Sequence, residues 1–323
     1  MRIAFVSRSS DYRPFAEQLA ARLPAHEVLF RGAERPWSLD GVEALLTAGG
    51  VIGREVLESS SVGFIQTIGT GYDNVDLPVA TRLGVWVSHM RASATGNAES
   101  VAEHAVLLLL ALARRMPLAE QSVKQGSSWA QPRGTALLGK VACIVGLGDV
   151  GTALAVRLRA FGIRLVGVRD HASRGGPEGV QVFGADELHQ SLREADFVLL
   201  AARASPLNGE MMDAEAFAAM KPGALFVNVA RGSLVKTAAL EAALRSGHLG
   251  GAGLDVFWEE PVDPRHPLLQ LPQVIATPHV AGITDVTLER SMERAAHNMD
   301  AYSRGLRPDF LLNAPSRPRK ALR

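Results

Sequence analysis

The sequence predicts an α/β protein in which parallel strands are covered by helices on both faces of the sheet. Short apolar runs alternate along the chain with helical patterns, and each run is continuously apolar. Continuous apolar strands separated by helices are typical of a parallel sheet that is buried on both faces. At 323 residues, the chain is long enough for about two such domains.

The apolar runs place the individual elements in order. In the first part of the chain, strands are predicted at 3–6, 64–68 and 85–87, with a helix at 15–23. In the later part, strands are predicted at 141–145, 165–168, 197–200, 225–229 and 274–276, with one helix directly after 145 and another at 238–244. The connections are short, as a compact α/β domain requires.

Three further segments concern the domain boundary and the end of the chain. Segment 98–115 is apolar on nearly every face, which predicts a long buried helix that could join two domains. Segment 125–139 is rich in glycine, serine and proline and predicts a loop that leads into the second sheet. The C-terminal segment 317–323, with three arginines and a lysine, predicts a solvated, frayed end rather than a nucleic-acid-binding tail.

Composition excludes several classes of protein. Apolar residues make up 47% of the chain and charged residues 21%, which is unlike a disordered, collagen-like or coiled-coil protein. The net charge of +1 gives no general attraction to nucleic acid or to an anionic membrane. Cys143 is the only cysteine, so an internal disulfide is excluded, and no metal site is expected. The start lacks a signal-peptide pattern, and the longest apolar run, 105–113, is shorter than the about 20 residues that span a bilayer. We therefore expect a soluble, cytoplasmic protein.

A glycine-rich motif directly follows the predicted strand at 141–145. Gly146, Gly148 and Gly151 form a GxGxxG pattern that opens a predicted helix. In that context the first glycine permits a tight turn, the second lets the backbone approach a pyrophosphate, and the third lets helix and strand pack closely. The start of the helix also offers N–H groups to phosphate. The motif therefore favours a bound dinucleotide over a turn without a ligand.

The end of the next strand bears on the choice between NAD and NADP. An acidic residue there binds the ribose 2′-hydroxyl, whereas an arginine suits a 2′-phosphate. In this chain Arg169 and Asp170 are adjacent, and Arg174 is nearby. Asp170 could face the ribose, or Arg169 could stack on adenine and pair with phosphate, or Arg169 could be a solvated charge. We favour NADP.

Ionisable residues also follow three later strands. Arg231 stands just past one strand, Glu259 and Glu260 follow another, and His279 follows a third. A guanidinium binds a carboxylate through two parallel hydrogen bonds, which an ammonium group cannot do. Reduction of a ketone needs a proton for the oxygen, and histidine is suited to supply it because its unperturbed pKa is about 6.5. A nearby carboxylate favours the imidazolium and orients the ring.

Several segments resemble the D-isomer-specific 2-hydroxyacid dehydrogenase family. They are 69–76 (GTGYDNVD), 97–104 (NAESVAEH) and 277–279 (TPH), which occur in the family's order over nearly the whole chain. Within the family, segment 46–50 (LTAGG) is similar to the glyoxylate/hydroxypyruvate reductase branch. This resemblance implies two Rossmann-like, doubly wound parallel-sheet domains with a cleft between them. Residues 1–97 and 283–323 would form a discontinuous substrate-binding domain, and residues 98–282 would form the dinucleotide-binding domain, through which a homodimer would assemble.

The resemblance also implies roles for individual residues. Arg231 would bind the carboxylate and carbonyl of a 2-oxo acid, His279 would act as general acid and base, and Glu260, which directly precedes the proline, would hydrogen-bond His279. Backbone amides around Gly49, Gly50, Thr70 and Gly71 would bind the substrate carboxylate. The cofactor-binding residues would be Thr70, Gly146, Gly148, Asp149, Val150, Gly151, Arg169, Asp170, Ser205, Val229, Ala230, Asp255 and Gly282. Asp255 would lie beside the nicotinamide carboxamide, and a strand-end cap is the competing interpretation. His89 and His104 are interpreted as structural.

The sequence departs from the family pattern in places, and other functions remain open. Arg169 stands where NAD-using members carry an aspartate, which puts NAD in doubt. Segment 202–206 is an altered and shortened form of the family's proline-leucine-threonine-proline loop, in which Ser205 could replace the threonine hydroxyl. The favoured function is reduction of glyoxylate, hydroxypyruvate or a similar 2-oxo acid with NADP or NAD. Phosphoglycerate or phosphite dehydrogenase, a corepressor-like NAD(H) sensor without catalysis, and a methyltransferase are the alternatives.

Overall fold

The computed structural model describes residues 1–34, 36–126, 129, 131–205 and 207–323. The chain divides into two compact units. One unit combines Met1–Asn97 with Thr284–Arg323, and the other is Ala98–Ile283. These limits differ from the sequence-based division only at Ile283, which the sequence assigned to the first unit.

Strands and helices alternate through both units. The strands are β1 (Arg2–Ser7), β2 (Glu27–Arg31), β3 (Ala44–Ala48), β4 (Phe64–Thr67), β5 (Trp86–Ser88), β6 (Val141–Val145), β7 (Arg164–Arg169), β8 (Val180–Gly184), β9 (Phe197–Leu200), β10 (Ala224–Asn228), β11 (Leu249–Leu254) and β12 (Val274–Ala276). The α-helices are α1 (Arg13–Arg22), α2 (Arg54–Glu58), α3 (Leu77–Arg82), α4 (Ala92–Thr95), α5 (Asn97–Ala113), α6 (Met116–Gln125), α7 (Asp149–Arg159), α8 (Leu188–Leu192), α9 (Ala214–Ala219), α10 (Thr237–Arg245) and α11 (Asp285–Ser303). The predicted α/β class with parallel sheets is confirmed.

The first unit contains a five-stranded parallel sheet in the order β2-β1-β3-β4-β5. Alternate residues of β1 point to opposite faces of this sheet. Ile3 and Phe5 therefore pack in one apolar cluster with Met292 of α11, whereas Ala4 and Val6 pack in a second cluster on the other face. The strand order changes direction between β1 and β3, and ligands of open α/β sheets bind beside the carboxyl ends of the strands at such a point.

The second unit contains a seven-stranded parallel sheet in the order β12-β11-β10-β9-β6-β7-β8. The chain passes from β6 outwards to β8 and then returns to β9 on the other side of β6. The strand order therefore reverses between β6 and β9, which makes the carboxyl ends of these strands the expected ligand-binding edge. The predicted strand at 141–145 coincides with β6, and the predicted helix after it is α7.

The C-terminal segment is packed, so the prediction of a frayed end was wrong. The backbone N–H of Arg319 donates to the carbonyl of Gly84 at 2.9 Å. Its guanidinium donates to four more carbonyls, those of Leu57, Ser60, Val62 and Leu83, at 2.7–3.1 Å. A guanidinium carries five N–H donors, and these carbonyls at helix ends and in loops need partners. The arginine therefore ties the end of the chain to the first unit, although its side chain is still exposed.

Two findings concern the predicted compartment. Among the described helices, none combines the length and the apolar character that crossing a bilayer requires. Cys143 lies inside β6, and burial raises the pKa of its thiol to about 12. The cytoplasmic location stays a prediction.

Candidate active site

The glycine motif forms the turn between β6 and α7. Gly146 has φ +106°, and a Cβ on it would overlap the backbone of Ala202 after β9. A Cβ on Gly151 would overlap the carbonyl of Gly146. Glycine is therefore required at both positions, at the first for the positive φ and the close approach of a neighbouring loop, and at the second for the packing of α7 onto the turn.

The middle glycine of the motif faces open space. A Cβ on Gly148 would meet no atom within 4 Å, and Gly148 is the N-cap of α7 without a side-chain cap. The first N–H groups of this 11-residue helix therefore lack a side-chain acceptor at their cap. Space beside a glycine and N–H groups at the positive end of a helix dipole are what a pyrophosphate needs. The turn fits a dinucleotide.

A basic loop follows β7 at the same edge of the sheet. Arg169 is half-buried, and its Nη1 donates to the carbonyl of Gly175 at 2.6 Å. Asp170 and Arg174 are exposed on either side of this contact. The guanidinium thus closes the loop 169–175, which also carries the acidic residue and the second basic residue.

The altered family loop after β9 forms a turn of its own. The backbone N–H and the hydroxyl of Ser205 both donate to Oδ1 of Asn208, at 2.7 and 3.1 Å. The hydroxyl of Ser205 therefore forms a hydrogen bond within the turn. Pro206, the last residue of the predicted altered motif, lies outside the described residues, as do parts of the predicted loop 125–139.

Asn228 shapes the turn that carries Arg231. Its buried side chain accepts from the N–H of Ala230 at 2.9 Å and donates to the carbonyl of Arg231 at 3.0 Å. The next residue, Gly232, lies so close to the chain after β11 that a Cβ would overlap the carbonyl of Phe257. A glycine here therefore brings the arginine turn against the loop that follows β11.

Glu260 and His279 form a hydrogen-bonded pair. Oε2 of Glu260 lies 2.8 Å from Nδ1 of His279, and Oε1 accepts from the N–H of Phe257 at 3.1 Å. A carboxylate accepts, so Nδ1 carries the hydrogen, and Nε2 is left as the atom that takes up or releases a proton. The histidine side chain is 45% exposed and that of the glutamate 21% exposed, so the ring can reach a bound molecule while its partner is shielded.

Asp255 is one of the most buried charged residues of this unit, at 1% exposure. Its Oδ1 accepts from Oγ1 of Thr277 at 2.6 Å and from the N–H of Val280 at 2.9 Å. Its Oδ2 accepts from the N–H of Ala281 at 2.9 Å. These contacts match the strand-end cap, the competing interpretation of this residue. A contact with nicotinamide stays a prediction.

The remaining predicted cofactor residues, apart from Thr70, lie at the same edge of the seven-stranded sheet. Asp149 and Val150 form the first turn of α7, Val229 and Ala230 directly follow β10, and Gly282 stands three residues after His279.

The predicted substrate residues of the first unit form a backbone site. Gly49 and Gly50 follow β3, at the point where the strand order reverses. Nε of Arg8 donates to the carbonyl of Gly49 at 2.6 Å, while Oγ1 of Thr47 and Nδ2 of Asn74 donate to the carbonyl of Gly50 at 3.0 and 2.6 Å. Both glycine carbonyls are therefore bound by side chains.

In the turn after β4, a side chain likewise lies beside a backbone carbonyl. Nδ1 of His89 lies 3.1 Å from the carbonyl of Thr70, which precedes Gly71. The ring of Tyr72 packs edge-on against the ring of His89 at 5.8 Å between centroids. Sequence reasoning left His89 without a site role and missed Arg8 and Asn74, because residues that bind backbone carbonyls have no distinctive spacing.

The described residues contain no group of three His, Cys, Asp or Glu side chains that could hold a metal ion.

Comparison with known proteins decides the family. A model of the D-isomer specific 2-hydroxyacid dehydrogenase NAD binding domain matches residues 106–281, which is more than half of the chain. The chain belongs to this dehydrogenase family.

Two curated members of the dehydrogenase family are similar to this chain. A glyoxylate reductase from Korarchaeum cryptofilum is 35% identical over 289 residues, which cover 87% of this chain and 84% of that protein. A D-3-phosphoglycerate dehydrogenase from Mycobacterium tuberculosis is 37% identical over 252 residues, covering 76% of this chain. The match covers only 46% of the mycobacterial protein, so the chain spans about half the length of that relative.

A solved dehydrogenase structure has the same fold. It is an NADPH-dependent glyoxylate/hydroxypyruvate reductase from Sinorhizobium meliloti in complex with NADP and malonate. The two chains are 28% identical with a TM-score of 0.84, and the match covers 100% of this chain and 98% of the other. The predicted two-domain Rossmann-like class is confirmed.

Proposed function

We propose that the chain is an NAD(P)-dependent D-2-hydroxyacid dehydrogenase that reduces a small 2-oxo acid such as glyoxylate or hydroxypyruvate. The observation that carries the proposal is the Glu260–His279 pair, at 2.8 Å, on the sheet edge that also carries Arg231 and the glycine turn. A proton donor, a cation for a carboxylate and a dinucleotide-binding turn are the three functions that reduction of a 2-oxo acid requires.

A nicotinamide cofactor held at the glycine turn of Gly146, Gly148 and Gly151 would supply the hydride. His279 donates the proton from Nε2 to the carbonyl oxygen, so that the product is a 2-hydroxy acid, and it accepts the proton in the reverse reaction. Glu260 accepts from Nδ1, which fixes the tautomer and the direction of the ring. Arg231 binds the carboxylate and polarises the carbonyl through its planar set of N–H donors.

We propose that backbone amides around Gly49 and Gly50 of the first unit bind a carboxylate. In a trans peptide the C=O and the N–H point in opposite directions. Because Arg8 binds the carbonyl of Gly49, the N–H of Gly50 is turned away from Arg8. The fixed carbonyl therefore orients a peptide donor for an anion without any side chain that contacts the substrate.

NADP is the proposed cofactor, because Arg169 ends β7 and Arg174 lies in the loop that follows it. Arg169 is held in place by its bond to the carbonyl of Gly175, so little of its conformational freedom is lost when a phosphate binds. Arg174 is exposed beside it. Two arginines favour a 2′-phosphate, whereas Asp170 alone would favour a ribose hydroxyl. The NADPH-dependent relative supports the same choice.

A homodimer through the second unit is also proposed. The neighbouring helices α5 and α6 expose large apolar side chains, and those of Leu107, Met116, Leu118 and Val123 are between 42% and 82% exposed. Exposed apolar clusters of this kind mark interfaces, and a second copy of the chain is the proposed partner. Light scattering should give twice the chain mass of 34.4 kDa, whereas the single mass would contradict the dimer.

The experiment that tests the reaction is a spectrophotometric assay at 340 nm. Glyoxylate and hydroxypyruvate are each offered with NADPH and with NADH, and oxidation of NADPH with either acid is the expected result. A second candidate substrate is D-3-phosphoglycerate, favoured by the similarity to the mycobacterial enzyme, and it is tested in the oxidative direction. Binding of NADPH without turnover of any of these acids would contradict the reductase proposal and favour a nucleotide-sensing protein.

A further inference from the structure

The histidine of segment 97–104 is connected by hydrogen bonds to the loop that carries the candidate proton donor. His104 is on α5, and its side chain is 15% exposed. Its Nε2 lies 2.9 Å from Oγ1 of Thr277 and 3.5 Å from Oδ1 of Asp255. The imidazole therefore reaches the loop that carries His279 through one threonine and one carboxylate, although 175 positions separate the two histidines in the chain.

The direction of the hydrogen bonds in this chain follows from the donors available. The hydroxyl of Thr277 has one hydrogen, and the 2.6 Å contact with Oδ1 of Asp255 uses it, because a carboxylate can only accept. Thr277 must therefore accept from Nε2 of His104, so this nitrogen carries a hydrogen. The result is an ordered series of bonds from His104 through Thr277 to Asp255.

Asp255 also accepts hydrogen bonds from the backbone around His279. Its carboxylate accepts from the N–H groups of Val280 and Ala281, and its backbone carbonyl accepts from the N–H of His279 at 2.8 Å. His279 itself has φ +56°, a conformation that a residue with a Cβ adopts only where its surroundings impose it. Hydrogen bonds on both sides of the histidine impose it here.

We propose that His104 is a positioning residue for the dehydrogenase reaction, which orients His279 through Thr277 and Asp255. This inference rests on the proposed function of His279. A misplacement of about 1 Å can lower the rate of a catalysed step by about 10²-fold. Loss of a residue that acts only through others should have a smaller effect, and it should appear in kcat because His104 does not contact the substrate.

Two substitutions separate the hydrogen bond from the packing of the ring. His104→Gln keeps an N–H donor at nearly the position of Nε2, whereas His104→Leu keeps an apolar side chain and removes the donor. We expect His104→Leu to lower kcat about tenfold with KM changed less than about twofold, and His104→Gln to restore most of kcat. His189→Leu, at an exposed histidine of α8 in the same unit, is the control for loss of an imidazole.

A double-mutant cycle tests whether the effect passes through His279. If it does, His104→Leu should change kcat by less than about twofold in a His279→Ala background, because the group that it orients is gone. A tenfold loss in both backgrounds would overturn the proposal.

Hydrogen exchange on the ligand-free chain gives a readout that needs no substrate. In His104→Leu, amides of 277–282 should exchange faster, while the remainder of the second unit and the melting temperature stay as in the unchanged chain. Unchanged exchange in 277–282, or faster exchange throughout the unit, would overturn the proposal. If the unchanged chain reduces no 2-oxo acid, the proposed function fails by itself, and the exchange result still decides whether His104 holds this loop.

Discussion

The two units present the candidate groups that act on the substrate in different ways. At the seven-stranded sheet, the groups are side chains, those of Arg231, Glu260 and His279, and the residue types themselves indicate the chemistry. At the five-stranded sheet, the groups are peptides around Gly49, Gly50 and Thr70, and other side chains bind the carbonyls that orient them. A side-chain site can be read from residue type, whereas a backbone site depends on residues that never touch the ligand.

The difference also predicts how each region should respond to substitution. Removing an ionisable side chain deletes a chemical function. Removing the side chain of Arg8 or Asn74 deletes no peptide group; it only frees a peptide group to change its orientation. Substitutions at the seven-stranded sheet should therefore have large effects on kcat or KM, and substitutions at the five-stranded sheet should have small effects confined to substrate binding.

The largest effect is expected for His279→Ala. Loss of the proton donor should lower kcat at least about 10²-fold, the usual scale for general acid catalysis. Steady-state kinetics with the best 2-oxo acid measures this, and the Kd for NADPH, measured by fluorescence, should stay within about twofold. Near-normal turnover of this variant would show that the proton comes from another group.

A smaller effect, on KM, is expected for Arg231→Ala. A lost pair of charge-assisted hydrogen bonds should raise the KM for 2-oxo acids about 10- to 100-fold. Arg231→Lys is the matched variant, since it keeps the positive charge but not the planar pair of donors. We expect it to recover only part of the loss, and an unchanged KM in the alanine variant would remove Arg231 from carboxylate binding.

Asn74→Ala tests the backbone site and should have a weaker effect. The variant loses two hydrogen bonds of the amide, to Oγ1 of Thr47 at 3.1 Å and to the carbonyl of Gly50 at 2.6 Å. A hydrogen bond contributes about 1 kcal/mol, so the KM for the 2-oxo acid should rise about three- to tenfold, while kcat stays within about twofold. A kcat effect as large as that of His279→Ala would abolish the distinction between the two regions.

The sequence predicted the seven-stranded sheet better than the five-stranded one for a physical reason. Strands β6, β9 and β10 are buried along their whole length, so they appear as continuous apolar runs. Strand β2, at the edge of the five-stranded sheet, is exposed or half-buried at every residue, and no strand was predicted there. Burial alone does not decide the outcome, however, because β3 is buried at every residue and was not predicted either.

Within the candidate site, too, only some of the contacts could be predicted from the sequence. The sequence placed Glu259, Glu260 and His279 just past strands of one sheet, and the resemblance to the dehydrogenase family implied that Glu260 is the partner of His279. The structure has these two side chains in contact. The surroundings of Asp255 could not be read in that way, because two of its partners are backbone N–H groups, which every residue except proline has. The role proposed for His104 was likewise hidden, since its partner Thr277 is 173 residues further along the chain.

The smallest effect is expected at Cys143, in the core of the seven-stranded sheet. Burial raises the pKa of its thiol to about 12, so the group stays protonated as pH rises through the range where an ordinary thiol with a pKa near 8.5 ionises. At pH 8 only about 10⁻⁴ of the thiol would be thiolate, the form that reacts with iodoacetamide. We expect no labelling and no loss of reductase activity at pH 8, and complete labelling in urea. Rapid labelling of the folded chain would show that β6 opens to solvent, and the rigid sheet edge on which the side-chain site depends would then be lost.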